Sequence, residues 1–255
     1  CSFNIPDGVH LYGGFFGNET QLIERDKSDR NEDGIQKEWE FTYPSILSGD
    51  IGRDDENSDG NYINETWEDI AEGDEEFPTY GTNAYSVVTF ANVTSETVLD
   101  GLTITASGSN HRSYVPDKNA YGQPSVPSGR GNGGGISDEI GGDSNPTIRN
   151  CIIQGNVGDY GGGIYLADGI IEYCLIKGNK ARNKGGGASV GSSNLSDRQI
   201  GSFKFCSFIG NQAGYGGGVY LRRGGTLKHC IFMDNKSTGD GGGIYASGTS
   251  VSLKY

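Results

Sequence analysis

The chain has 255 residues, of which 44 are glycine and only 33% are apolar, and its formal charge is −13. An acidic balance of this size disfavours nucleic acid, whose binding depends on Lys and Arg neutralising phosphates. No run of about 18 apolar residues occurs, so no membrane-spanning helix is expected.

In chain order, 9–16 and 45–51 are apolar runs broken by glycine and Ser-Gly-Asp, and they read as short strands with tight turns. Between them, 19–26 offers a short helix with Leu22 and Ile23 as its apolar face. Residues 52–82 form a long acidic insertion and 106–132 a second one, rich in Ser, Pro and Gly. Strand character resumes between them at 85–90 and 96–105. The start at Cys1, without a signal peptide, reads as a cut through a longer protein. All of 1–255 is expected to form one domain.

Four segments, 148–156, 171–179, 203–211 and 227–235, then follow one template: apolar, polar, variable, Cys, variable, Ile or Phe, variable, Gly or Asp, Asn. Each precedes a glycine triplet, at 161–163, 185–187, 216–218 and 241–243. The cysteines are 23, 32 and 24 residues apart, whereas each cysteine lies 10 or 11 residues before its triplet. One part of the repeat is fixed in length and the other takes insertions, as in a solenoid. The period-two apolar spacing selects strands over helices. The fold class is therefore all-β. It is a right-handed, single-stranded parallel β-helix with about 22–25 residues and about three strands per coil.

Stacking coils turns the template into ladders: Leu99, Ile148, Ile171, Phe203, Leu227; Leu102, Cys151, Cys174, Cys206, Cys230; Ile104, Ile153, Ile176, Phe208, Phe232; and Asn156, Asn179, Asn211, Asn235. The cysteines are read as free thiols packed in the core, since parallel neighbours point the same way and suit a disulfide poorly. The asparagines are read as turn locks that tolerate the left-handed region, and the triplets as suppliers of positive φ.

The segments 208–211 and 232–235, Phe-x-x-Asn, together with Gly-Gly-Ile or Gly-Gly-Val at 162–164, 217–219 and 242–244, resemble the β-helix proteins with polymorphic-outer-membrane-protein-type repeats. The first 50 residues resemble the N-terminal region of secreted bacterial β-helix proteins. The resemblance implies an extracellular or bacterial outer-surface location and an adhesin-like role towards a glycan or a surface protein of a host or neighbouring cell. The chain is expected to act as a monomer.

Candidate site residues fall in three groups. Tyr165, Tyr220 and Tyr245 are expected to face outward after the triplets, as a carbohydrate platform or a merely stabilising stack, with Arg222 and Arg223 beside them. His111 and Arg112 lie in the second insertion. Asp29, Asn31, Asp33 and Glu40 fit the ligand positions of a calcium loop, and Asp55, Asn57 and Asp59 repeat its first half; ordinary loop chemistry is the competing reading. The alternative functions are a polysaccharide lyase or other carbohydrate-active enzyme, calcium-dependent if the acidic loops bind the ion, and a structural spacer of a large surface protein. Carboxylates such as Asp54, Asp55 and Glu56 are plentiful, but they cannot be placed as the pair that glycoside hydrolysis needs. His229, beside Cys230, is read as structural.

Overall fold

The computed structural model describes residues 2–27, 36–50, 55, 63–70, 83–108, 133–138, 142–191, 201–248 and 251–254. The chain winds as a right-handed parallel β-helix. One coil runs through Thr147–Arg149, Ile152–Gln154 and Val157–Tyr160 before Ile164–Leu166 opens the next. Corresponding strands stack into four parallel sheets of seven, seven, six and four strands. In the order the chain meets them, the first sheet runs from Phe3–Ile5 to Ile244–Ser247. The second runs from His10–Tyr12 to Val251–Lys254, and the third from Ser45–Ser48 to Ile231–Met233. The fourth runs from Val157–Tyr160 to Lys236–Ser237.

The fourth sheet corrects the expected three strands per coil. Among the described residues its strands begin at Val157, which Gly108 of the preceding coil meets in a single parallel bridge; the insertions leave after Ser45–Ser48 and Leu102–Thr105. Both long insertions thus depart from the same side.

The predicted ladders form in register. Ile148, Ile171, Phe203 and Leu227 stack in the second sheet, and Leu99 precedes them. Ile104, Ile153, Ile176, Phe208 and Phe232 stack in the third. Phe208 and Phe232 lie ring on ring at 4.8 Å. Cys151, Cys174, Cys206 and Cys230 are free and pack with these columns in one continuous core. Burial pushes the Cys174 thiol up. Each Sγ points at main-chain carbonyls, Cys174 at those of Ile148 and Glu172 and Cys206 at those of Ile171 and Lys204, and a thiolate in this apolar column would be a buried charge.

The asparagine column carries more hydrogen bonds than any other. Each Nδ2 donates to a carbonyl of the preceding coil: Asn156 to Ile104, Asn179 to Ile153, Asn211 to Ile176, Asn235 to Phe208. Each of Asn179, Asn211 and Asn235 accepts, through Oδ1, the backbone N–H and the side-chain amide of the asparagine one rung before. Ser107 fills this place in the earlier coil and donates its N–H to Asn156 Oδ1 at 3.1 Å. The asparagines are not themselves left-handed. That conformation falls on the residue before each, Gly155, Gly178, Gly210 and Asp234, with φ between 54 and 63°. In the triplets, likewise, only the first glycine has positive φ; the other two are small because coils meet there.

Two pieces of the N-terminal third clamp the solenoid from outside. The predicted helix is a single 3₁₀ turn, Leu22–Glu24. It sets Arg25 over the Phe41 ring, with its guanidinium 4.8 Å from the ring centre. Arg25 Nη1 donates to Asp100 Oδ1 at 2.9 Å, and Arg149 Nε donates to Asp100 Oδ2 at 2.8 Å. From the acidic insertion, residues 63–70 fold back onto the corner between the third and fourth sheets. There Trp67 donates its N–H to Gly178 O at 2.8 Å, and Lys180 Nζ sits 3.4 Å from its ring centre.

Burial pushes the Asp100 carboxyl up, but hydrogen bonds from Arg25, Asn150 and Arg149 outweigh it and hold it below the usual carboxylate range. A carboxyl depressed by folding stabilises the protein above its unfolded value, near 3.9, and loses that contribution as pH falls through its folded value. Urea unfolding of the wild type and of Asp100→Asn as a function of pH is therefore expected to show the largest difference near neutrality. The gap should narrow below about pH 4. A gap independent of pH would show that Asp100 is not ionised in the fold.

Candidate functional site

Two exterior strips run along the helix axis. The first lies on the first sheet, where Ser137, Tyr165, Ser189, Tyr220 and Tyr245 occupy one outward row, in the order the sequence predicts. Tyr220 and Tyr245 are adjacent and stack with their ring centres 5.6 Å apart and their planes 8° from parallel. Tyr215 meets Tyr245 edge-on at 5.5 Å, and Tyr160 lies 6.5 Å from Tyr165. Lys184 sits in register between Tyr160 and Tyr215. Its Nζ is 3.3 Å from Tyr220 Oη and 4.7 Å from that ring's centre. Burial pushes the Tyr165 phenol up, against the pull of Arg222.

The structure corrects one expectation here. Tyr220 points outward from its strand, but Lys184 and Tyr245 cover it and leave it only 5% exposed. Tyr160 and Tyr215, which the sequence reading did not single out, are the open rings of this strip. Arg222 and Arg223 are both exposed at the end of the Tyr220 strand, where Arg223 donates its N–H to Ser247 O at 2.7 Å.

The second strip follows the corner between the second and third sheets and was not anticipated. The corner residue is left-handed in every coil from Gly101 onward: Asn150, Tyr173, Phe205 and His229 have φ of 52–54°. A left-handed conformation costs a bulky residue roughly 1–3 kcal/mol. Three consecutive coils nonetheless place a ring there. Tyr173 stacks on Phe205 at 5.0 Å, and Phe205 stacks on His229 at 4.9 Å. The row beside it reads Asp100, Arg149, Glu172, Lys204, Lys228, Lys254.

A third surface is an apolar groove of about 560 Å³ on the outside of the third sheet. Ile152, Leu175, Ile209, Ile231 and Met233 form its floor, and Trp39 and Ile63 stand at its side.

Of the expected calcium ligands, Asp29, Asn31, Asp33, Asn57 and Asp59 lie outside the described residues, as do His111, Arg112 and the carboxylates of Asp54 and Glu56. Glu40 is buried and accepts the Lys37 N–H at 2.7 Å. Asp55 Oδ2 accepts the side-chain amides of Asn64 and Asn83 at 2.8 and 2.7 Å. Among the described residues, no three His, Cys, Asp or Glu side chains converge as a metal site, and no helix is long and apolar enough to cross a membrane.

The fold and its ladders define the class of protein, and comparison with known families agrees. A family model described as a right-handed β-helix region matches residues 80–254, and the chain belongs to that family. No curated protein and no solved structure matches the chain.

Proposed function

We infer that this β-helix is a non-catalytic binding module, displayed outside the cell or on a bacterial outer surface, that adheres to a glycan or to a surface protein. One observation carries the reading. Tyr165, Tyr220 and Tyr245, with Arg222, on the first sheet meet Tyr160, Lys184 and Tyr215 along the row that begins in the fourth sheet, and together they form one strip. Tyrosine offers an apolar ring and a hydroxyl together, at little cost in side-chain freedom, and it concentrates in recognition surfaces. Stacked rungs hold the strip rigid, so little ordering is lost on binding. The surface location rests on the resemblance of the 208–211 and 232–235 segments to the repeats of polymorphic-outer-membrane-protein-type proteins.

The test is a glycan and surface-protein array probed with the wild type and with Tyr215→Ala/Tyr245→Ala. A binder retained by the wild type and weakened about tenfold or more by the double variant is expected. The wild type and the double variant should show the same unfolding midpoint to within a few degrees. An array without binders, or release of unsaturated uronates from acidic polysaccharides, would contradict the reading.

A further inference from the structure

We propose that the apolar groove on the outside of the third sheet binds a free fatty acid, at a site separate from the tyrosine strip. In each strand of this sheet the middle residue, Ile153 or Ile176 for example, turns into the core, and the residues on either side of it turn out. From Ile152 onward the outward pairs are Ile152 with Gln154, Leu175 with Lys177, Ser207 with Ile209 and Ile231 with Met233, so five of eight positions are large and apolar. The outward pairs of the second sheet in the same coils are Thr147 with Arg149, Ile170 with Glu172, Ser202 with Lys204 and Thr226 with Lys228, so one of eight is apolar. An outward position has no core to fill, and a half-buried strand is ordinarily polar there. The third sheet departs from that rule and the second keeps it.

The chain itself covers one end of this face. Asn64 O accepts hydrogen bonds from Thr105 Oγ1 at 2.7 Å and Gln154 Nε2 at 3.2 Å, and Trp67 donates its N–H to Gly178 O at 2.8 Å. The cover ends there. A methyl group on Gly178 would stand 2.5 Å from Glu65 O, whereas one on Gly210, a coil later, would meet nothing within 4 Å. Trp39 and Ile63 wall a groove of about 560 Å³, and at its open end Ile231 and Met233 are 55% and 49% exposed. Apolar residues scattered over a surface are ordinary, but a contiguous walled row of them marks a binding site.

The lining selects the occupant. The floor runs along the helix axis over four rungs, about 14 Å at the spacing of parallel strands, and an unbranched alkyl chain has that form. An extended peptide would bring an N–H and a C=O for every residue. Polar side chains of the groove are already engaged, Gln154 on Asn64 O and Glu40 on the Lys37 N–H, so those backbone groups would be buried unpaired. A second copy of the chain related by a two-fold axis would present the same walled hollow, and two hollows do not fill each other. The head group follows from charge. Lys37 and Lys177 both line the groove, and Lys177 stands in one column with Ile209 and Met233, one and two rungs before them. An ammonium at the head of an apolar column suits one carboxylate at the end of one alkyl chain. Glu65 is the carboxylate of the lining that competes for it.

The experiment uses the whole chain as Trp67→Phe, which leaves Trp39 as the remaining tryptophan of the two. Quenching of Trp39 is followed as dodecanoate brominated along its chain is added below its micelle concentration, with plain dodecanoate, dodecanol and butyrate as competitors. Saturable quenching at a single site is expected, reversed by dodecanoate, less well by dodecanol and not by butyrate. Ile231→Ser/Met233→Gln should bind roughly tenfold more weakly or worse. Both side chains are exposed, so this variant should unfold at the same urea concentration, which separates lost binding from lost folding. Lys37→Gln/Lys177→Gln should lose the preference for dodecanoate over dodecanol and keep its affinity for dodecanol. Tyr215→Ala/Tyr245→Ala should bind dodecanoate as the wild type does, so this site and the tyrosine strip are tested apart. Absent or non-saturable quenching, displacement by butyrate, dodecanol equal to dodecanoate, or unchanged binding by Ile231→Ser/Met233→Gln would each overturn the proposal. So would a dimer in sedimentation that the same variant dissociates, because a second copy would then be the occupant.

Discussion

Asn179→Ala is expected to destabilise the β-helix by about 3–5 kcal/mol, one of the two largest single-residue effects in the molecule. Asn179 is fully buried. Its Nδ2 donates to Ile153 O and to Asn211 Oδ1, and its Oδ1 accepts from Asn156 N and Nδ2. Alanine removes the side chain but not the groups it served. Ile153 O and the Asn156 N–H remain inside with no water to replace it. Leaving a buried polar group unsatisfied costs about 1–3 kcal/mol each. The near-isosteric swap Asn179→Asp keeps the acceptor but not the donor, and it brings a buried charge, so it should fare no better. Urea unfolding checks both, with the outermost member as comparison. Asn235→Ala should cost less, because Asn235 is only half-buried.

Gly162→Ala is the second. A methyl group at this position would stand 2.5 Å from Gly186 O and 2.5 Å from Lys180 C and O. These are backbone atoms of the next coil, so no side chain can rotate out of the way. Overpacking a fixed interior usually costs about 1–3 kcal/mol, and a clash with backbone lies at or above the upper end. Gly210→Ala isolates the other role of glycine. Gly210 has φ of 63° but nothing within 4 Å of an added methyl. It should lose only the left-handed preference, about 1–2 kcal/mol. If the two variants were equally stable, coil contact would not be what keeps the second triplet position small.

The residues that made the fold readable are those whose role repeats on every rung. Ile153, Ile176, Phe208 and Phe232 face one core, so each coil restates the same constraint. The asparagine column does the same for hydrogen bonds. The fourth sheet escaped because its strands carry no such constraint. Lys180–Lys184 and Gln212–Ala213 bury only Ala181 and Ala213, so no apolar alternation marks them. The cover over Tyr220 escaped for a different reason. Lys184 belongs to the preceding coil and approaches through the fold, not through any spacing in the chain.

The corner strip was within reach of the sequence. Tyr173, Phe205 and His229 stand at the position just before the repeated cysteine, which the template treats as variable. Lys204 and Lys228 stand at the position before that, which it treats merely as polar. Inward positions repeat because packing demands it. Rings and cations that repeat at outward positions, three coils running, have no such demand behind them, and that is the signal. Glu40 fits position 12 of a calcium loop by spacing, and its carboxylate accepts the N–H of Lys37, three residues before it; positions 1, 3 and 5 of that loop lie outside the described residues.

The central claim is that the repeats are rungs locked in register by the asparagine column. Native-state hydrogen exchange on Asn179→Ala tests it most directly. The Asn156 N–H has Asn179 Oδ1 as its acceptor, whereas the Ser207 N–H donates to Cys174 O and does not depend on the removed side chain. The account predicts that, relative to Ser207, the Asn156 amide exchanges faster in the variant than in the wild type. Equal acceleration of the two amides, or unchanged protection of Asn156, would contradict it.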